Sequence, residues 1–372
     1  MKVLQLGKFY PIRGGVEKVM YDLMLGLSEE GVHCDMLCAS TENYAGGTIE
    51  INSFSKLIVV PTTLKFAATM LAPLMVSKLR NIANDYDIVH IHHPDPMATL
   101  ALFLSGFRGK VVLHWHSDIV KQKKLLKLYS PLQSWLINRS NLIVGTTPVY
   151  VDQSPFLQHV KDKIDFIPIG VQAIQANLKL VHEVRAKNEG KFLIFSLGRL
   201  VEYKGYEYLV KSAQFLDDNH KIVIGGKGPL FDSLQELIIE LGVQDKVELL
   251  GFLSDEEAFA YFEACNLFVL SSILKTEAFA IVQIEAMSCS KPVVSTQIEG
   301  SGVAWVNADN VSGLLVPTCD EYAIAEAIKQ ISGNNVFYKE LCVGSYERYS
   351  DFFTRKCMVD KCLSLYVNVV SF

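Results

Sequence analysis

Residues 275–292 read KTEAFAIVQIEAMSCSKP, and Pro292-Val293-Val294-Ser295 follows like the start of a buried strand. Good helix formers and apolar residues run from Ala278 to Met287. The pattern predicts a buried helix opening near Phe279, with Glu277 just before its first turn and Glu285 inside it. An ionised carboxylate in so apolar a stretch is costly unless hydrogen-bond donors meet it. Sugar hydroxyls are such donors, and the free N–H groups of a helix N-terminus suit a phosphate. The competing reading is structural: one Glu caps the helix while the other meets an Arg in the core.

The residues around this stretch form a repeating pattern. Phe192–Gly198, Lys221–Gly225, Val247–Gly251, Leu267–Ser271, Pro292–Thr296 and Gly313–Val316 read as strands separated by helical stretches. That alternation argues for a parallel, doubly wound sheet whose ligands lie at the carboxyl ends of its strands. The first half opens the same way. Strand Val3–Gly7 runs into the loop FYPIRGGVEK and a helix from about Val16 to Glu29. Further strands are expected at His33–Ala39, Leu57–Val60, Ile88–His92, Val111–Asp118 with a polar end, Leu142–Thr146 and Asp165–Pro168. A polar linker, roughly Gln172–Gly190, separates the halves. The expected division is residues 1–180, residues 181–350, and a terminal helix in 351–372 that packs back on the first domain. Two such domains facing each other leave a cleft, the usual place for a ligand.

Composition narrows the class. The 372 residues are 50% hydrophobic and 20% charged, with a net charge of -5, which argues against disorder and against bulk attraction to nucleic acid. No stretch reaches the ~20 apolar residues of a membrane span. MKVLQLGKFYP lacks the apolar core of a secretory signal, and the eight cysteines form no C-x-x-C pair. A reduced, cytoplasmic setting with cysteines as small core residues is expected.

Several motifs carry chemistry. Arg199 and Lys204, in SLGRLVEYKG, would stand at the carboxyl edge of the first strand of the second half. Two cations there suit a diphosphate whose charge grows as a glycosyl bond breaks. Gly14-Gly15 and Gly226 allow close backbone approach to a ligand. His114 and His116 share one strand face, yet no third or fourth metal ligand stands at a useful spacing, so no metal is assigned. His116 suits a hydrogen bond to a substrate hydroxyl, whereas His90, His92 and His93 read as satisfied strand and loop histidines. Asp85-Tyr86-Asp87 matches a D-x-D pattern but sits at the amino edge of a strand, where an ordinary turn explains it. Lys121, Lys123, Lys124 and Lys127 alternate with apolar residues. They form either a solvated helix face or a basic stretch for anionic lipid, at roughly 1 kcal/mol per basic residue.

Taken together, these motifs resemble the retaining glycosyltransferase family 4 with its GT-B fold, two Rossmann-like doubly wound domains. The resemblance covers nearly the whole chain and is carried by Pro11–Glu17, His114–Asp118, Gly198–Gly205, Gly225–Pro229 and Glu277–Pro292. HWHSDIVKQKKLLKLYSPL with TEAFAIVQIEAM is similar to the bacterial O-antigen mannosyltransferase subgroup. The family usually has Gly at the positions of Ala280 and near Ser290. The resemblance implies that Arg199, Lys204 and the N–H groups around Phe279-Ala280-Ile281 hold a donor diphosphate. Glu285 then takes the ribose, Glu277 and His116 the transferred sugar, Gly15 the phosphate or acceptor, and Phe252 and Leu253 the base. It further implies metal-independent, retaining transfer, without a resident cofactor, from a nucleotide sugar such as GDP-mannose to a lipid-linked glycan at the inner face of the cytoplasmic membrane. A UDP-sugar donor, or a nucleotide-sugar-binding protein that has lost transfer, are the alternatives.

Overall fold

The computed structural model describes residues 1–12, 14–41, 44–66, 69–119 and 123–371. It divides into two compact units, residues 1–170 with 355–372, and residues 171–354.

The first unit is built on an eight-stranded sheet. Its spatial order is Ile164–Phe166, Leu142–Gly145, Lys110–Trp115, Ile88–His93, Lys2–Tyr10, His33–Ser40, Ser55–Val60 and Gly47–Asn52. All pairs are parallel except the last, where Gly47–Asn52 closes the edge antiparallel to its neighbour. That edge strand was not read from the sequence, because with one face open it lacks the apolar run of a buried strand. The apolar segment starting at Leu64 becomes a short hairpin, Leu64–Phe66 with Thr69–Leu71, followed by helix Leu74–Ile82. Strand Ile88–His93 is fully buried.

Helix Arg355–Ser371 closes the first unit, following a π-helical turn at Tyr349–Phe353. It lies close against helix Val16–Glu29 because Gly26 has no side chain: a Cβ there would stand 2.4 Å from Val359 Cγ2. Tyr366, Cys362 and Met358 of the terminal helix are wholly buried.

The second unit holds a six-stranded, all-parallel sheet in the order Val247–Gly251, His220–Gly225, Phe192–Leu197, Leu267–Leu270, Val293–Thr296 and Gly313–Val316. All six were expected from their short apolar runs. Phe195, Phe262 and Phe268 pack edge-on and tilted, with centroids 5.1–6.0 Å apart. Of the cysteines, Cys34, Cys38, Cys265 and Cys362 are buried as expected, but Cys319 is exposed.

Candidate active site

In the second sheet the chain starts at Phe192–Leu197, builds outward on one side, then returns to build on the other. The order therefore reverses between Phe192–Leu197 and Leu267–Leu270, and the crevice beyond their carboxyl ends is the expected ligand position. Arg199, Lys204 and Glu277 all follow those two strand ends.

Lys204 ends a single 3-10 turn, Glu202–Lys204, and Gly205 follows at φ 62. Only glycine fits: a Cβ on Gly205 would lie 2.2 Å from the Ser271 carbonyl oxygen. The Ser271 hydroxyl donates to the Lys204 carbonyl at 3.0 Å, locking this turn to the neighbouring strand end. The Lys204 ammonium lies 2.5 Å from Glu277 Oε2, both side chains being 11% exposed. The Ser272 hydroxyl donates to the same oxygen at 2.9 Å, and the Ser301 hydroxyl to the Glu277 carbonyl. The competing structural reading is thus partly realised, with Lys204 in place of an Arg. Arg199 is exposed and, among the described residues, makes no side-chain hydrogen bond or ion pair. It remains close enough that Lys204, Glu277 and Arg199 all act electrostatically on Tyr203, whose hydroxyl burial pushes up.

The central helix begins later than expected, at Ile281 rather than near Phe279, and runs to Ser288. The cause is Ala280, which sits at φ 62, ψ 78 and turns the chain sharply into the helix. Glu277 consequently stands well before the first turn, in the ion pair rather than at a cap. No side chain caps this helix, so its first N–H groups are free for an anion. Glu285 is half-buried one turn in, on the face of Ile281, and helical side chains lean toward the N-terminus. Ala280 and Ser290, φ 57, both adopt the left-handed conformation that glycine takes without strain. They are the two places where the sequence departs from the resembled pattern. Phe279 is buried, its ring edge-on to Phe353 with centroids 5.9 Å apart.

Gly226 has φ 137, and a Cβ there would stand 1.9 Å from the Gly198 carbonyl oxygen, so the GKGP loop packs directly on the end of the first strand. Phe252 is 67% exposed and carries the Lys227 ammonium 5.1 Å above its ring. Leu253 is half-buried and lies against Gly225, where an added Cβ would meet Leu253 Cδ1 at 2.6 Å.

Gly15 and His116 belong to the first unit. Gly15, at φ 59 and ψ -136, precedes helix Val16–Glu29. His116 follows strand Lys110–Trp115 and is 4% exposed. Around it the fold gathers histidines that sequence spacing kept apart. His92 pairs in register with His114, and Gln5 with His90, so these side chains share one sheet face. His92 is satisfied at both nitrogens, by His116 and Gln5. Among the described residues His93 has no hydrogen-bond partner at either nitrogen and His90 none at Nε2, which corrects the expectation that both are satisfied; His114 is likewise unpartnered at both. Burial holds these imidazoles neutral and pushes His114 down to about 3.

Candidate ligand atoms of His90, His92 and His114 lie within 4.8 Å of one another, so the third ligand absent from the sequence spacing is supplied by a neighbouring strand. The three rings lie 11–27° from parallel. A metal must lie in the plane of every imidazole it binds. Near-parallel stacked rings do not meet that condition, and His92 has no nitrogen to spare, so we assign it no metal.

Sequence reading missed Lys8, which is buried at φ 60 on the first strand. Its ammonium donates to the Pro94 carbonyl at 2.6 Å and its N–H to Asp95 Oδ2 at 2.7 Å. Burial lowers the Lys8 pKa and raises that of Glu17. A lone Lys inside an apolar strand was the available signal. Lys121 lies outside the described residues, as do the side chains of Lys123 and Lys124. Lys127 and Leu128 are exposed on helix Lys123–Arg139.

Two family models cover most of the chain: "Glycosyltransferase Family 4" at residues 13–173 and "Glycosyl transferases group 1" at residues 179–344. An O-antigen chain mannosyltransferase C of Escherichia coli is 30% identical over 100% of this chain and 99% of its own. A D-rhamnosyltransferase, WbpZ, of Pseudomonas aeruginosa is also 30% identical, over 95% of this chain and 92% of its own. A Campylobacter jejuni transferase, named for adding N-acetylgalactosamine to a diphospho-undecaprenol-linked glycan, is 29% identical over 72% of each chain. Among solved structures, a sucrose-phosphate synthase from Thermosynechococcus elongatus superposes with a TM-score of 0.81 at 18% identity, covering 100% of both chains. Anabaena HepE in complex with UDP gives 0.79 at 20% identity, covering 99% of this chain and 100% of that one. These likenesses identify the GT-B fold.

Proposed function

The chain belongs to glycosyltransferase family 4, and from that premise we propose that it moves mannose from GDP-mannose to a lipid-linked glycan in O-antigen assembly, with retention and without a metal. The observation that carries this reading is the cluster of Arg199, Lys204 and Glu277 beyond the strand ends where the second sheet reverses. The full-length likeness to an O-antigen mannosyltransferase supports the sugar and the pathway. The diphospho-undecaprenol in the name of the Campylobacter relative supports a lipid-linked acceptor.

In the proposed transfer the residues divide the work. At rest Glu277 neutralises Lys204. A diphosphate, doubly charged and rich in acceptors, competes for the ammonium together with Arg199 and the N–H groups of Ile281 and Val282 at the helix start. Lys204 exchanges Glu277 for the diphosphate, and the released carboxylate accepts hydroxyls of the donor sugar. Glu285 takes the ribose and His116 a hydroxyl of the transferred hexose. Phe252, exposed beside Lys227, offers a flat apolar surface to the base. Catalysis is then positioning plus neutralisation of the leaving group, with the acceptor hydroxyl attacking from the face the diphosphate leaves.

A second reading changes only the sugar: the rhamnosyltransferase matches at the same identity. Lys127 and Leu128 support contact with anionic lipid at the cytoplasmic face, and no described helix is long and apolar enough to cross a membrane. The test is thermal stabilisation by a panel of nucleotides and nucleotide sugars with EDTA present. A ligand at 100 times its Kd adds ~2.7 kcal/mol. Stabilisation by GDP and GDP-mannose but not UDP is expected; a response to UDP-sugars alone would overturn the mannosyl reading. Failure to pellet with anionic vesicles at low salt would remove the membrane contact.

A further inference from the structure

We propose that Gln5, His92 and Tyr366 form a relay of positioning residues that fixes the tautomer of His116, so that Nε2 carries its proton and Nδ1 is left to accept a hydroxyl of the transferred sugar. The inference deepens, and rests on, the reading of His116 as the sugar-facing imidazole.

The argument follows donors and acceptors one bond at a time. The Gln5 side-chain oxygen can only accept, and it lies 2.6 Å from His92 Nε2. His92 therefore carries its proton on Nε2. A neutral imidazole has one N–H, so His92 Nδ1 is an acceptor. Its partner is His116 Nε2, at 2.8 Å, which must then be the donor. His116 Nδ1 is left with its lone pair and, among the described residues, no partner.

The other end of the chain of bonds closes consistently. The Gln5 amide N–H groups donate to the Tyr366 hydroxyl at 3.2 Å and to Cys34 Sγ at 3.7 Å. The Tyr366 hydroxyl is also hydrogen-bonded to His90 Nδ1 at 2.5 Å. Three strands and the terminal helix thus each contribute one link, all within the first unit. His114 stacks on His116 with centroids 4.0 Å apart and rings 13° from parallel, which limits rotation of the His116 ring. Burial keeps His90, His92, His114 and His116 neutral, so the assignment of one proton per ring holds at neutral pH.

A buried nitrogen with a lone pair and no donor costs stability, and such groups cluster where a ligand completes them. His116 lies just past the carboxyl end of its strand, the side on which ligands of doubly wound sheets bind. A sugar hydroxyl donating to Nδ1 would satisfy it. The reverse tautomer would present an N–H instead and change which hydroxyl geometry is accepted. The terminal helix, hundreds of residues from His116 in sequence, thereby reaches the reacting sugar through three hydrogen bonds.

The experiment uses the full-length protein labelled with 15N-histidine. The His116 signals are identified by their loss in His116→Gln, and the imidazole pattern of the unliganded enzyme is read at pH 7.5. An Nε2–H tautomer is expected; an Nδ1–H tautomer overturns the relay. GDP release from GDP-mannose is then compared in the wild type and Tyr366→Phe. Loss of one link should lower kcat about tenfold, the size of one hydrogen bond, with KM for the donor within twofold. Wild-type kcat in a folded Tyr366→Phe protein overturns the relay. Wild-type turnover in His116→Gln would instead overturn the sugar-facing role of His116, and the relay with it.

Discussion

Removing the Lys204 ammonium should destabilise the second unit, and removing Glu277's charge as well should restore most of the loss. The pair is desolvated: 2.5 Å between charges, with each side chain 11% exposed. Breaking such a pair by truncating one member costs about 3–5 kcal/mol, because the survivor stays buried and uncompensated. Glu277 keeps one donor, the Ser272 hydroxyl, so Lys204→Met should fall at the low end, about 3 kcal/mol. For a unit of this size that is a drop in Tm of roughly 6–12 °C. Replacing both, in Lys204→Met/Glu277→Gln, removes both charges and keeps the amide near Ser272. It should lie within about 1 kcal/mol of the wild type, giving a coupling of at least about 2 kcal/mol. The assay is calorimetry on the four proteins of the cycle. A single variant that loses less than ~1 kcal/mol, or a double variant that loses the sum of both singles, would refute the pairing. Turnover should be lost in all three variants, since diphosphate neutralisation goes with Lys204 and sugar contact with Glu277.

Arg199→Ala should behave oppositely: an exposed cation with no ion pair among the described residues should leave Tm within about 2 °C while kcat/KM falls about 100-fold, and a variant as active as wild type would remove Arg199 from the site. Ala280→Gly relieves a left-handed residue worth ~1–2 kcal/mol against a glycine entropy cost of ~0.4–1 kcal/mol; urea unfolding should show a net gain of about 0.5–1 kcal/mol, and a loss would mean that the methyl packing outweighs the backbone strain. His93 and His114 have pKa values lowered to about 3 by burial. The unfolded chain, titrating near 6.5, therefore binds more protons below that pH, and stability is full above about pH 6.5 and falls as pH drops toward 3. Each costs about 2 kcal/mol at pH 5, so urea melts followed through Trp115 should shift markedly between pH 7.5 and 5, and pH-independent melts would contradict the burial of these rings.

How much was legible in advance differed between the two units. The sheet of the second was readable, because a parallel strand buried on both faces is a short apolar run, and all six such runs became strands; helix Leu178–Lys187, inside the expected polar linker, and helices Glu321–Gly333 and Asn335–Arg348 were not read. The places of Arg199, Lys204, Glu277 and Glu285 on the fold were also legible, since charged residues among apolar runs at strand ends and inside a helix stand out. The helix start was misplaced by the local preferences of Ala278 and Phe279, which sequence patterning weighs without seeing the left-handed turn at Ala280. The edge strand Gly47–Asn52 escaped because an edge has one open face and no clear apolar pattern.

What the sequence by itself determined is the alternation of strands and helices, the family, and which charged residues gather at the carboxyl ends of the second sheet. These depend on contacts close in the chain and on the period of apolar residues. Only the tertiary structure decided that Lys204 and Glu277 neutralise each other, and that Gln5, His90, His92, His114 and His116 share one buried face beneath Tyr366. Those outcomes depend on strand register and on the docking of the terminal helix. Hydrogen bonds and ion pairs act over about 3 Å, and which groups come that close is set by how distant segments pack, which no local pattern encodes.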